Sequence, residues 1–192
     1  MPRKKRLVGS ELSLRIRQFR QEQGLTLDAL AAKTGLTRGF LSKVERGLGI
    51  PSIASLIWIA QALNRPMGAF FSDHEDEPVS FVRRDERKPF SRQGSAFGYN
   101  YFSIAYKRKR KWMEPYVMSP PRVIDGDRFF THDGEEMIFV IKGTMESVVH
   151  GRRYLLRKGD CIYYDASLPH RNRSLGRIQA EALVVTCLPR GF

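Results

Sequence analysis

Residues 26–47 read TLDALAAKTGLTRGFLSKVERG, and this stretch decides the fold of the first third of the chain. Leu27, Leu30 and Ala31 fall at helical spacing, with Thr26 placed to cap them. Gly35 interrupts the pattern where a helix end needs a left-handed residue. Thr37 caps a second run carrying Phe40, Leu41 and Val44, which Gly47, Gly49 and Pro51 close. The pattern predicts two short helices joined by a tight turn. Ala31 is small where the two approach. Leu41 and Val44 anchor the second helix on a core, which leaves Arg38, Gly39, Ser42 and Lys43 on its other face.

The helical period extends outward from this unit. Leu12, Ile16 and Phe19 predict a preceding helix that Gly24 ends. Ser52 caps a fourth helix carrying Leu56, Ile59, Ala60 and Leu63. Pro66 suits the first turn of a fifth that includes Phe70 and Phe71. Residues 72–78, SDHEDEP, are acidic and polar and end in proline, the composition of a linker. Beyond them the period changes to two. VSFV, YNYFSIAY, MIFVI, ESVV, RYLL, CIYY and ALVVTCL are short β segments. Turn signals part them at Asp133-Gly134, Lys142-Gly143, His150-Gly151 and Lys158-Gly159. Short strands without intervening helices predict a sandwich or barrel. The expected division is a helical domain over 1–72, a linker over 73–77 and a β domain over 78–192.

The chain has 192 residues, 42% hydrophobic and 28% charged, a globular mix. No apolar run approaches the ~18 residues of a membrane span. The basic start MPRKKR is followed by no apolar secretory stretch, so a cytoplasmic protein is expected. Cys161 and Cys187 lie in apolar segments and are expected to be reduced and buried. Basic residues number 33 against 20 acidic, net +13. The excess is present in both parts: 12 against 7 up to Asp76, and 21 against 13 beyond. A polyanionic partner is implied, nucleic acid first. Arg3, Lys4, Lys5 and Arg6 form either a phosphate-tracking arm or a solvated tail. Lys107-Arg108-Lys109-Arg110-Lys111 is either a strand rim or a contact to flanking DNA.

Residues 26–47 resemble the helix-turn-helix of the phage-repressor (Xre-like) family. The resemblance rests on Leu30-Ala31, Gly35, Leu41, Val44 and Glu45-Arg46-Gly47, and extends over roughly residues 10–71. It implies that the second motif helix enters the major groove of operator DNA, with Thr37, Arg38, Gly39, Ser42 and Lys43 as the DNA-binding residues. Arg38 and Lys43 can donate to guanine, and Thr37 and Ser42 can bind phosphate. Leu27 stands where the best-known members carry a polar residue.

Residues 128–174 resemble the two motifs of the cupin barrel. In FTHDGEEMIFVIKG, His132 matches the second histidine, Glu136 the carboxylate and Gly143 the glycine, while Phe130 occupies the first histidine position. In GDCIYYDASLPHRNRS, Gly159 and His170 match, and Asp165 and Ser167 replace the usual Pro and Gly. The resemblances imply an α+β multidomain chain: a five-helix helix-turn-helix domain, then an all-β cupin (double-stranded β-helix) barrel. His132, Glu136 and His170 then have three possible roles. They form a facial triad for a divalent metal (Fe, Zn, Mn or Ni), or a metal-free pocket that hydrogen-bonds an organic ligand, or satisfied polar groups in a structural barrel. Tyr99, Tyr101, Tyr164 and Arg122 are candidate further ligand contacts. Glu135 falls on the opposite strand face from Glu136.

The organisation implies a homodimeric, non-enzymatic, DNA-binding transcriptional regulator whose barrel senses a small-molecule effector, with no membrane partner. The outer faces of strands such as MIFVI need cover, which places the dimer contact on the barrels. The rival expectation comes from the same domain order. An HxxxE pair and a later histidine also resemble the iron-dependent epoxidase that acts on hydroxypropylphosphonate, in which His132, Glu136 and His170 would ligate Fe(II). The basic motif helix and the cationic chain favour the regulator. No Ser/His/Asp constellation, glycine-rich phosphate loop or CxxC pair argues for other chemistry.

Overall fold

The computed structural model describes residues 8–49, 51–65, 67–71, 77–90, 98–108, 111–124, 126–127 and 129–187. The N-terminal basic segment and most of the expected linker lie outside the described residues.

Four α-helices open the described chain: α1 (Val8–Glu22), α2 (Leu27–Thr34), α3 (Arg38–Glu45) and α4 (Ile53–Ala62). Three begin on the hydroxyl residues that the sequence nominates. Thr26 accepts the Ala29 N–H at 3.1 Å, Thr37 that of Phe40 at 3.2 Å and Ser52 that of Ser55 at 3.1 Å. Gly35 closes α2 at φ 67°, which costs a glycine little. Leu12, Ile16, Leu30, Leu41, Val44, Leu56, Ile59 and Leu63 are buried together. One buried charge belongs to this core. The Arg20 guanidinium grips Glu45 at 2.6 and 2.9 Å and donates to the Leu25 carbonyl, which ties α1 to the end of α3. The expected fifth helix is a single 3-10 turn, Met67–Phe70. It is four residues long with Gly68 inside it, so it serves as an anchor for Phe70 and Phe71 rather than as a helix.

Nine strands follow: β1 (Lys88–Pro89), β2 (Asn100–Ser103), β3 (Met113–Ser119), β4 (Glu135–Lys142), β5 (Thr144–Val149), β6 (Arg152–Arg157), β7 (Cys161–Asp165), β8 (His170–Leu175) and β9 (Glu181–Cys187). They form two antiparallel sheets, ordered β1-β2-β3-β9-β4-β7 and β6-β5-β8. The turn between β5 and β6 has His150 at φ 49° and Gly151 at φ 77°, the paired positive angles of a type I′ hairpin. Parity sorts the faces as expected: on β4, Glu135 is exposed and Glu136 buried.

Three expectations are corrected. VSFV, residues 79–82, is loop rather than strand. Strands β3 and β8 were not foreseen, because Pro115 interrupts the first and the second turns polar His170, Asn172 and Ser174 inward. Cys161 is exposed rather than buried, because it points outward from β7; both cysteines are unpaired.

The basic run divides residue by residue. Lys107 donates to the Phe81 carbonyl at 2.9 Å and Arg108 to that of Glu77. Lys111 pairs at 3.0 Å with Glu114, whose carboxyl burial pushes up to about 7 against the pull of Lys111. Lys107 and Arg108 are exposed contacts to the loop before β1, and the Lys111–Glu114 pair is buried. Lys109 and Arg110 lie outside the described residues.

The helical part docks on the barrel through aromatic packing. Phe71 stacks on Phe90 at 4.3 Å, and Phe90 meets Tyr101 and Tyr116 at 5.9 Å each. Lys88 Nζ donates to the Phe71 carbonyl across the same contact.

Gly143 gives the sharpest test of the barrel. It stands at φ 72°, and a Cβ there would lie 3.0 Å from the Ala180 Cα and 3.1 Å from the Ile178 carbonyl oxygen. Gly143→Ala combines left-handed strain with overpacking against backbone and should cost about 2–4 kcal/mol in chemical denaturation. A loss within measurement error would show that the β4–β5 turn is not built as described.

Candidate functional site

The first candidate site is the outward face of α3. Its inner face buries Leu41, Val44 and Glu45. Thr37, Arg38, Gly39 and Lys43 are exposed and Ser42 is half-buried, so all five residues that the sequence singles out lie together on the outer face. The Arg38 Nε stands 3.3 Å from Asp28 Oδ1, with both side chains mostly in water. Such a pair is worth little and leaves Arg38 available to a stronger anion. A Cβ built on Gly39 meets nothing within 4 Å. The fold therefore does not require glycine there. Leu27 is half-buried against the core, which accounts for an apolar residue at that position.

The second candidate site is a cavity inside the barrel. Tyr99, Tyr101, Tyr116 and Met118 line it together with Phe130, His132, Glu136, His170 and Asn172. Glu136 is its electrostatic centre, withdrawn from water on β4. The Tyr164 hydroxyl donates to Oε1, and the Tyr116 hydroxyl donates to Oε2 at 3.3 Å. His132 Nε2 stands 3.4 Å from Oε2, an ion-pair distance without hydrogen-bond geometry. Burial pushes the Glu136 carboxyl up, but the two imidazoles and the Tyr164 hydroxyl outweigh it and hold it below its ordinary range. Burial likewise pushes His132 down, and the neighbouring Glu136 outweighs it, so His132 titrates above its ordinary value. His170 is lowered, because burial exceeds the attraction of Glu136. Tyr101, Tyr116 and Tyr164 are raised well above the usual phenol value by burial first, then by Glu136 for Tyr116 and Tyr164 and by Tyr99 ahead of Glu136 for Tyr101, and all three stay neutral.

Both histidines are held by their backbone neighbours. His132 Nδ1 lies 3.0 Å from the Asp133 carbonyl and His170 Nδ1 2.9 Å from that of Leu168. A carbonyl can only accept, so each Nδ1 carries its proton. In the neutral ring this leaves Nε2 as the free lone pair, the tautomer a metal-binding imidazole adopts. Ligand atoms of His132, Glu136 and His170 all lie within 4.8 Å of one another. This donor set suits a divalent ion. Phe130 turns hydrocarbon to the same cavity, edge-on to Tyr99 at 5.7 Å, where a full cupin set has a third imidazole.

Of the sequence-nominated ligand contacts, Tyr101, His132, Glu136, Tyr164 and His170 come together here. Arg122 does not. It donates to the Gly176 and Arg177 carbonyls on a separate surface groove shared with Arg153, Arg171 and Arg173. Tyr116, Met118 and Asn172 belong to the cavity and were not nominated. Strand alternation is the signal for Asn172, two positions beyond His170 on one face; Tyr116 and Met118 share a face of the unforeseen β3.

His132 provides a pH test. Its raised value contributes stability that is complete below the ordinary imidazole value of ~6.5 and is lost as pH rises through the folded value. In metal-free Glu136→Gln the largest attraction is gone, and burial is opposed only by the Asp133 carbonyl and carboxylate. The His132 Cε1–H resonance should then titrate lower than in the wild type. An unchanged titration would show that Glu136 does not govern the site.

Comparison with known proteins bears on the two domains. Residues 16–70 match the family described as Helix-turn-helix, and residues 117–186 match Cupin domain. The HTH-type transcriptional regulator PuuR of Escherichia coli is 27% identical over 158 residues, covering 81% of this chain and 83% of that protein. The crystal structure of an HTH_3 family transcriptional regulator from Vibrio cholerae superposes with a TM-score of 0.67 at 22% identity, covering 95% of this chain and 98% of that one. Hydroxypropylphosphonic acid epoxidase from S. wedmorenis reaches a TM-score of 0.46 at 19% identity over 95% of this chain and 99% of its own, too loose a likeness to bear on chemistry. The chain thus carries an Xre-type helix-turn-helix domain over residues 16–70 and a cupin domain over residues 117–186.

Proposed function

We propose that this chain is a sequence-specific, DNA-binding transcriptional regulator of the cytoplasm whose cupin barrel senses a small-molecule effector. The observation that carries the reading is α3: one face is buried in the core, and the other presents Thr37, Arg38, Gly39 and Lys43 to solvent with no fold requirement on Gly39. The net charge of +13 supports a polyanionic partner. The relationship to PuuR over both domains supports the regulator class. No helix among the described residues is long and apolar enough to cross a membrane.

The functional division follows the expected bounds, with reader over 1–72, linker over 73–77 and sensor over 78–192. Two chains pair through their barrels and present two α3 helices to a pseudo-palindromic operator. Phe139, Ile141, Leu155 and Tyr163 are exposed apolar side chains on the barrel that such pairing would cover. His132, Glu136 and His170 would hold a divalent ion, which would act as a fixed positive charge and Lewis acid for an effector's polar group. Phe130 leaves that set one imidazole short, so binding should be weaker than in a complete cupin site.

Arg38→Ala or Lys43→Ala should weaken binding to the operator by about 1–3 kcal/mol if the residue reads a base, or lower the salt slope by roughly one if it contacts phosphate. Gly39→Ala should raise thermal stability by about 0.4–1 kcal/mol, because alanine restricts the unfolded chain and meets no neighbour in the first turn of α3, yet weaken operator binding. Unchanged gel shifts for all three variants would remove α3 as the reader. The rival enzymatic reading predicts substrate-dependent oxygen uptake after anaerobic Fe(II) loading, lost in His132→Ala and Glu136→Ala. We expect no uptake with hydroxy-phosphonates.

A further inference from the structure

Helix α4 belongs to the helical domain, yet its first turn forms a wall of the barrel cavity. Ser52, Ile53 and Ala54 are 3%, 5% and 3% exposed, and they line the same space as Tyr99, Tyr101, Tyr116 and Met118. With that wall in place the free volume is about 20 Å³. This is room for roughly one water. Pockets for metabolite-sized ligands span about 300–1,000 Å³. The space is nevertheless built for an occupant. Asn172 Oδ1 is aimed into it from a residue 4% exposed, and the atom has no hydrogen-bond partner among the described residues. Buried polar atoms left this way call for a partner. The barrel walls are β strands tied into ladders on both sides, β3 by β2 and β9 and β4 by β7 and β9. The α4 turn is the wall that the helical domain contributes; the other lining residues belong to the barrel's own strands and loops.

We propose that Ser52, Ile53 and Ala54 are part of the effector site, and that a polar small molecule able to donate to Asn172 Oδ1 enters the barrel only by displacing them. This rests on the reading of the chain as a regulator with a sensing barrel. Displacement of the turn cannot stay local. Leu56, Ile57, Ile59 and Leu63 of the same helix are buried in the core that holds α2 and α3. Pushing the start of α4 out of the barrel therefore shifts the DNA-reading unit relative to its other contacts with the barrel, among them the stack of Phe71 on Phe90. Barrel occupancy and the docked placement of the reader are mutually exclusive, which is the differential affinity that an effector needs to act.

The test needs no identified effector, because a side chain can serve as the occupant. Met118→Trp places a ring system larger than the free space inside the cavity of the full-length protein. Amide hydrogen exchange over Ser52–Leu56 should then speed up by about tenfold or more while β4 and β9 stay protected. Adding Ile53→Ala, which makes room on the opposite wall, should restore most of the protection. Wild-type exchange in Met118→Trp, or single-variant effects that add independently, would overturn the proposal. If Met118→Trp loses the protection of its sheets, Ile53→Asp disrupts the contact from the reader side. Exchange should then rise together over Ser52–Leu56 and at Tyr101 and Tyr116 on β2 and β3; a rise confined to α4 would overturn it. Gel shifts on the same proteins separate the two claims. If the wild type binds no operator, the regulator reading fails while the exchange coupling still stands or falls by itself. If the wild type binds and Met118→Trp opens the contact without changing operator affinity, the contact carries no regulation and the proposal fails.

Discussion

A carboxylate taken out of water must be paired, and the cavity is organised by how this chain pairs Glu136. Its partners come from separate parts of the barrel: Tyr116 from β3, Tyr164 from β7 and His132 from the loop before β4, with His170 at the start of β8. The ladder places Glu136 opposite Tyr164 on one side and Thr186 on the other. A slip of β4 by one residue would turn Glu135 inward and Glu136 outward, and leave the inward tyrosine hydroxyls of β3 and β7 without their acceptor. The requirement to satisfy one charge thus fixes the register of the central strands, and the register fixes the shape of the cavity. The same requirement makes the site chemically competent, because it leaves one residue ionised and two imidazoles with Nε2 turned inward.

The cavity is also continuous with the DNA-reading unit. Tyr116, which bonds Glu136, packs on Phe90; Phe90 stacks on Phe71; and the neighbouring Phe70 meets Phe19 of α1 at 5.2 Å. These rings give packing continuity between the two ends of the molecule. Continuity alone does not establish coupling, which requires an element with two arrangements that both sites bias. That role is the one proposed for the start of α4, since one end of the helix is held in the reader core and the other closes the barrel.

Much of this was legible in the sequence where a residue type has one physical use. Thr26, Thr37 and Ser52 cap helices because a hydroxyl after a break can satisfy a first-turn N–H, and all three do. Gly143 is glycine because of φ and the approach of Ala180, and parity alone separates Glu135 from Glu136. What escaped depends on partners distant in sequence. Strand β8 turns polar residues inward, so a search for apolar alternation passes over it. Arg122 carries the right chemistry for a ligand, but the loop that holds it folds onto the Gly176 turn. Ser52 reads as a helix cap and is one; nothing local says that the cap also closes a barrel.

The most direct test of the account is hydroxyl-radical footprinting of the full-length wild-type protein on its own upstream DNA. The account predicts two protected half-sites related by pseudo-two-fold symmetry, one helical turn or a multiple of it apart, about 34–36 Å centre to centre for a single turn. It also predicts that Arg38→Ala weakens protection of both half-sites together, so that more protein is needed to fill them. Protection that spreads evenly over any duplex, or that persists unchanged in Arg38→Ala, would contradict it.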